Sequence, residues 1–69
     1  MDIIRVFGSN VRYYREQKGL SQEKLAEMSG LHRTYISDLE RFQRSISLSN
    51  VQKIADALEV ETHVLFIEK

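Results

Sequence analysis

Four side chains that can form hydrogen bonds lie close together near the middle of the chain. At helical spacing they would share one exposed face, and they are Arg33, Thr34, Ser37 and Asp38. A guanidinium matches the O6 and N7 acceptors of guanine, a threonine methyl group contacts thymine, and a carboxylate accepts from the cytosine amino group. The group therefore predicts contacts with base edges, led by Arg33. The alternative role for Arg33 is that of a solvated charge paired with a neighbouring acid.

Asp38 has a second candidate role, because DNA phosphates repel a carboxylate. It would then hold Arg33 or Arg41 in position. Tyr35 also has two candidate roles. Its ring and hydroxyl could contact the sugar-phosphate backbone of DNA, or the ring could pack over the preceding helix.

The apolar residues around this group predict two short helices joined by a tight turn, between Leu20 and Glu40. Ser21 is placed to cap the first helix, and Gly30 supplies the backbone freedom that the turn demands. The expected buried side consists of Leu25, Ala26, Leu31, Ile36 and Leu39. This layout is a helix-turn-helix, whose second helix enters the DNA major groove.

Three further helical segments are predicted around this motif. The first runs from about Ile3 to Gln17, with Gly19 as the left-handed residue that stops it. The polar segment 41–47 predicts a loop, after which Ser47 or Ser49 caps a fourth helix. A last short helix follows Thr62. The apolar faces of the first and fourth helices are Ile4, Phe7, Val11 and Tyr14, and Val51, Ile54, Ala55 and Leu58. We therefore expect an all-α, compact five-helix fold in one domain spanning residues 1–69.

The last segment contains four consecutive apolar residues, from Val64 to Ile67. A helix that is apolar on every side cannot bury all of them in one small core. We expect Leu65 to enter the core and Val64, Phe66 and Ile67 to face a two-fold partner. The alternative is that the end frays and these residues only cover the core.

Composition limits the possible functions. A chain of 69 residues without Cys forms no disulfide, and neither His32 nor His63 sits in a metal-binding spacing, so no metal or cofactor is expected. A Cys nucleophile and a Gly-rich phosphate loop are both missing, which argues against an enzyme. No apolar run approaches the ~20 residues that span a bilayer, which predicts a cytoplasmic protein with no membrane partner.

Charge is balanced overall but not along the chain. Ten Lys and Arg face ten Asp and Glu, and the formal net charge is zero. Residues 1–46 contain eight basic and six acidic side chains, whereas residues 47–69 contain two and four. Since phosphate neutralisation supplies most sequence-independent affinity, this balance predicts weak binding to random DNA.

The segment from Leu20 to Glu40 resembles the lambda repressor/Cro-like (XRE-type) helix-turn-helix family. Within that family, RTYISDLER (residues 33–41) followed by a polar loop is most similar to the controller proteins of bacterial restriction-modification systems. The resemblance extends from about Phe7 to Phe66. It implies that Arg33 is the main base-reading residue and that Gln22, beside Ser21, holds a phosphate at a helix N-terminus. It also implies that the loop after the second motif helix lines the DNA backbone through Arg41, Gln43, Arg44 and Ser45.

The resemblance further implies a structural ion pair between Arg15 and Glu40. Phe42 departs from the family pattern, which has Gly or Asn there for a left-handed backbone. Either the loop bends differently or the strain is tolerated.

The function implied is that of a homodimeric transcriptional regulator that binds a symmetric operator in double-stranded DNA. Its targets as a controller would be the promoters of its own gene and of a nearby endonuclease gene, and activation would require a surface that touches RNA polymerase. A plain phage-type repressor or an antitoxin would use the same fold. A protein-interaction adaptor, whose apolar tail binds another protein, is the alternative from a different class.

Overall fold

The computed structural model describes residues 1–69 and contains helices only. Four α-helices follow one another: α1 (Ile3–Gln17), α2 (Gln22–Ser29), α3 (Arg33–Glu40) and α4 (Leu48–Leu58). The fifth predicted helix is a 3-10 helix over Thr62–Phe66, a form that proteins use in short pieces. The all-α class and the helix-turn-helix are confirmed. None of these helices is both long enough and apolar enough to cross a membrane.

The helix boundaries follow from local capping. Asp2 Oδ1 accepts hydrogen bonds from the Ile4 and Arg5 amides at 3.1 and 3.4 Å, which starts α1. The hydroxyls of Ser21 and Ser47 accept from amides three residues further on, at 2.9 and 3.2 Å, and start α2 and α4. These contacts satisfy backbone donors that have no partner within the helix.

Gly30 ends α2 with a φ of +73°, the left-handed conformation that a sharp turn into α3 requires. Glu59 ends α4 in the same conformation, with a φ of +59°. A left-handed backbone costs a residue with a Cβ roughly 1–2 kcal/mol. Glu59 is therefore a mildly strained position.

The core lies where α1, α2, α3 and α4 converge, and the 3-10 helix closes it. Its fully buried side chains come from every element and include Val11, Leu25, Ile36, Leu39, Ile54, Leu58 and Leu65. Leu65 is 0% exposed, so this part of the apolar terminal segment belongs to the core of the same chain.

Gly8 permits α1 and α3 to approach closely. A Cβ placed on Gly8 would overlap the carbonyl oxygen of Leu39 and would lie 3.0 Å from the ring of Phe42. The two backbones meet here without room for a methyl group. The contact holds the end of α3 against α1.

Asn10 attaches the C-terminal segment to α1. Its buried Nδ2 donates to the carbonyl oxygens of Leu65 and Ile67 at 3.0 and 2.9 Å. Both bonds bridge more than fifty residues of sequence, and they satisfy the only amide donor group of this buried side chain. The exposed apolar end of the chain is thereby held in a defined position.

Candidate nucleic-acid interface

The N-terminal end of α3 presents a basic side chain with no internal partner. Arg33 and Thr34 are exposed, and His32 caps the helix without a side-chain hydrogen bond. No Asp or Glu oxygen lies within 4.0 Å of the Arg33 guanidinium, which therefore forms no ion pair with a neighbouring acid. All five of its N–H donors are available to a ligand.

Ser37 and Asp38 lie one turn further along α3 and are partly buried. Asp38 Oδ1 accepts from Arg41 Nη2 at 2.8 Å, and Asp38 Oδ2 lies 3.6 Å from Arg44 Nη2. Of the two partners expected for Asp38, Arg41 is within hydrogen-bond distance and Arg33 is not. Arg44 is an additional partner that the sequence did not indicate.

Both the ring and the hydroxyl of Tyr35 contact other residues of the protein. Its ring packs against the core, and its hydroxyl accepts from Asn50 Nδ2 of α4 at 3.1 Å. The Arg44 guanidinium lies over the same ring, 4.8 Å from its centroid. The ring packing expected as one alternative is present, but the hydroxyl is directed towards α4.

The loop after α3 is shaped by Phe42, which adopts a φ of +63°. Its ring lies against Gly8 and beneath the Arg5 guanidinium, 4.7 Å from the ring centroid to the Cζ atom. These contacts offset a left-handed strain of roughly 1–2 kcal/mol. Of the two alternatives for Phe42, tolerated strain is therefore the one observed.

The loop exposes its polar side chains along one edge of the molecule. The exposed residues are Arg41, Gln43, Arg44 and Ser45. Arg5, on the first turn of α1, borders the same depression as these residues. Sequence reasoning missed Arg5, because nothing in its spacing relates the start of α1 to the loop after α3.

Ser21 and Gln22 lie at the start of α2. The Ser21 hydroxyl is engaged as a cap but keeps its own proton for donation. Gln22 Nε2 donates to Glu40 Oε1 at 3.0 Å, so one of its two N–H groups is used within the protein. The other remains available to a phosphate.

Arg15 and Glu40 form the ion pair beneath these residues. Arg15 Nε and Nη2 reach the two carboxylate oxygens at 2.7 and 2.9 Å, and Arg15 Nη1 donates to the Leu20 carbonyl at 2.7 Å. The hydrogen bond to Glu40 is the main cause that raises the pKa of Arg15; burial opposes this effect, and the charges of Glu40 and Glu16 add to it. The pair ties α1 to the end of α3 and so sets the angle at which α3 is presented.

A second, apolar surface lies beside the interface. A groove of about 250 Å³ runs between α1, the loop and the start of α4, and Ile3, Ile46, Leu48 and Phe66 line it. Leu48 is 86% exposed, and Ile3 and Ile67 are each 53% exposed. Sequence reasoning missed Ile3 and Leu48, because each is an isolated apolar residue at the start of a helix.

The residues expected at a subunit interface are unequally placed. Ile67 is exposed, whereas Val64 and Phe66 are half-buried. The Phe66 ring packs on Phe7 with 5.3 Å between the ring centroids. Phe66 thus contributes to the core of its own chain as well as to the wall of the groove.

No three His, Cys, Asp or Glu side chains are placed together so that they could hold a metal ion. The surface depressions are lined by the loop and helix ends already described, by the ends of α2 and α4, or by α1 and the C-terminal residues 67–69.

Known proteins match this chain closely. A family model described as helix-turn-helix matches residues 11–65. The control protein C.SmaI of Serratia marcescens is 53% identical over 58 residues, which cover 84% of this chain and 69% of that protein. The crystal structure of the restriction-modification controller protein C.AhdI from Aeromonas hydrophila has a TM-score of 0.89 and 49% identity, covering 91% of this chain and 96% of the other.

A third relative is the hypothetical transcription factor NHTF from Neisseria. Its crystal structure superposes with a TM-score of 0.94 and 45% identity, covering 97% of this chain and 77% of the other. The aligned segment of this chain spans 62% of the length of the corresponding Neisseria meningitidis protein.

Proposed function

This chain belongs to the helix-turn-helix family of DNA-binding transcriptional regulators, and on that basis we propose that it binds a two-fold symmetric operator as a homodimer and controls a restriction-modification system. The main support is Arg33, an exposed guanidinium without an acidic partner at the N-terminal end of α3. In a helix-turn-helix this end of the second helix contacts base edges.

The proposed DNA contacts divide into two classes. Arg33 and Thr34 read bases, and Ser37 stands one turn behind them. The backbone contacts come from the start of α2 and from the loop, namely Ser21, Gln22, Arg41, Gln43, Arg44 and Ser45; Tyr35 supports them by packing beneath Arg44. Contacts of the second class fix the register of the protein on the duplex but specify little sequence.

A homodimer is supported by the apolar groove. Exposed apolar patches on a small protein mark interaction surfaces, and a two-fold interface uses the same patch on both subunits. Ile3, Leu48 and Phe66 line this groove, and the exposed Ile67 and half-buried Val64 are the further residues proposed for the interface. Two α3 helices about 34 Å apart would then read half-sites one helical turn apart.

The controller role is supported by relatives whose names describe control proteins of such systems. In this role the protein would act at the promoter of its own gene and at that of an endonuclease gene. Activation there would require a contact with RNA polymerase.

Selection from a pool of random duplexes tests the proposal. The native chain should enrich a sequence with two inverted half-sites whose centres are about 10 base pairs apart. Enrichment of a single, asymmetric site would contradict the homodimeric mode. A pool without any enriched sequence would contradict DNA recognition and favour the adaptor.

A further inference from the structure

We propose that Asp38 is an internal counter-anion that weakens the sequence-independent binding of this chain to DNA. This inference rests on the proposed function. In this role Asp38 does not contact bases, and its effect extends beyond holding Arg41 in position.

The first observation is that one carboxylate holds both arginines of the loop. Asp38 Oδ1 lies 2.8 Å from Arg41 Nη2, and Asp38 Oδ2 lies 3.6 Å from Arg44 Nη2. The Asp38 side chain is only 19% exposed, whereas those of Arg41 and Arg44 are 66% and 48% exposed. The arginines therefore cover the carboxylate and separate it from solvent.

The second observation is that the Arg44 guanidinium also packs on an aromatic ring. Its guanidinium lies 4.8 Å from the centroid of the Tyr35 ring, and the Tyr35 hydroxyl is fixed by Asn50. Arg44 thus has a defined resting position against α3. It is not a freely moving cation on a loop.

Arg33 differs from the two loop arginines. Arg33, the proposed base-reading residue, has no acidic partner, while the two loop arginines share one. The cation that reads sequence is free, and the cations that contact phosphate without regard to sequence are neutralised.

The physical consequence is an exchange of ion pairs. When a phosphate takes Arg41 or Arg44 from Asp38, one ion pair forms while another is lost, and the carboxylate left behind repels the duplex. The net charge of the chain is zero, so no long-range attraction compensates. Sequence-independent affinity is therefore low, and binding depends on the base contacts of Arg33.

The test compares Asp38→Asn with Asp56→Asn, which changes the net charge by the same amount. Asp56 is exposed on α4 and has no ion-pair partner, so it is a matched control. Binding of the full chain to a random-sequence duplex would be measured by fluorescence anisotropy at several salt concentrations. Asp38→Asn should bind roughly three- to tenfold more tightly at low salt, and its salt slope should steepen by about 0.9 for each arginine released.

Two further variants make the result specific. Asp38→Glu keeps the charge and should bind random DNA like the native chain. In an Arg41→Gln, Arg44→Gln background, Asp38→Asn should have a clearly smaller effect, because the cations that it releases are gone and only the repulsion between the carboxylate and the duplex is removed. Thermal unfolding would establish that each variant is folded, and Asp38→Ser would replace an unfolded Asp38→Asn.

The inference is overturned if Asp38→Asn binds random DNA no more tightly than Asp56→Asn, or if its effect persists undiminished without the two arginines. If the native chain binds its selected operator while either result is obtained, only the role of Asp38 is wrong. If neither the native chain nor any variant binds a duplex at low salt, the proposed function itself is wrong.

Discussion

Arg15 and Glu40 are joined through two parallel hydrogen bonds of 2.7 and 2.9 Å, although 25 residues separate them in sequence. Their side chains are 12% and 4% exposed. Glu40 ends α3, and Arg15 lies in the last turn of α1. The pair therefore connects the helix that carries Arg33 to the helix that anchors the C-terminal segment.

Breaking this pair should be costly. Glu40→Gln leaves the Arg15 guanidinium partly buried without its counter-charge, which we expect to lower the free energy of unfolding by about 3–5 kcal/mol. Urea unfolding measures the loss. The control is Arg12→Ala, which removes the exposed Arg12–Glu16 pair. It should lower the free energy of unfolding by no more than about 0.5 kcal/mol. Equal losses of unfolding free energy in the two variants would show that the buried pair stabilises the fold no more than the exposed one.

Gly8→Ala should destabilise the contact between α1 and α3. The new methyl group overlaps the Leu39 carbonyl oxygen, and overpacking of this kind costs about 1–3 kcal/mol. Ser9→Ala, on the exposed neighbouring position, is the control and should change stability little. Chemical denaturation of both variants checks the prediction, and a Gly8→Ala protein as stable as Ser9→Ala would contradict it.

The ion pair between Lys18 and Glu59 should make stability depend on pH. The hydrogen bond from Lys18, at 2.7 Å, and the charge of Lys18 lower the pKa of Glu59 from its ordinary value of 4.5. A carboxyl whose pKa is lower in the folded state stabilises the protein above pH 4.5, and this contribution disappears as the pH falls through the lowered pKa.

The comparison that isolates this effect is with Glu59→Gln, which keeps the shape of the side chain. The native chain should have its advantage in thermal stability at neutral pH and lose it in acid. In a Lys18→Met background, the difference in thermal stability between the proteins with Glu and with Gln at position 59 should no longer fall as the pH is lowered. An advantage that grows on acidification would contradict the assignment.

Arg33→Ala should remove sequence preference without unfolding the protein. A bidentate contact to guanine contributes roughly 1–3 kcal/mol of discrimination, so the ratio of operator to random-DNA affinity should fall by about 5- to 150-fold. Lys53→Ala removes an equal charge from an exposed position on α4 and should leave the ratio near its native value. If Arg33→Ala weakened binding to both duplexes equally, a phosphate contact would be the better description.

Leu48→Glu should produce monomers. Leu48 is 86% exposed at the rim of the apolar groove, so a charge there opposes association without disturbing the core. Sedimentation velocity measures the oligomeric state, with Met28→Glu as a control on a different exposed apolar residue. Phe66 is less suitable for this test, because its ring also packs on Phe7. Dimers that persist in Leu48→Glu would place the subunit interface elsewhere.

Local signals in the sequence were enough to define the elements. The bounds of α1, the Ser21 cap and the turn at Gly30 follow from interactions among residues a few positions apart, whereas the structure selects Ser47 over Ser49 as the cap of α4. The buried faces of α1 to α4 follow from apolar periodicity in the same way. The short helix expected after Thr62 is present and is a 3-10 helix, the form that proteins use in short pieces.

Only the tertiary structure decided which charges meet and which surfaces remain open. Asp38 lies between Arg41 and Arg44, Gln22 is drawn to Glu40, and Tyr35 is directed to Asn50, because the packing of α1, α3 and α4 sets those distances. Residue types in the sequence predicted a DNA-facing helix led by Arg33 and, after it, a loop that carries Arg41 and Arg44. Which of these three arginines is left without an acidic partner is a property of the folded arrangement, because an ion pair depends on the distance between two side chains in space and not on their separation along the chain.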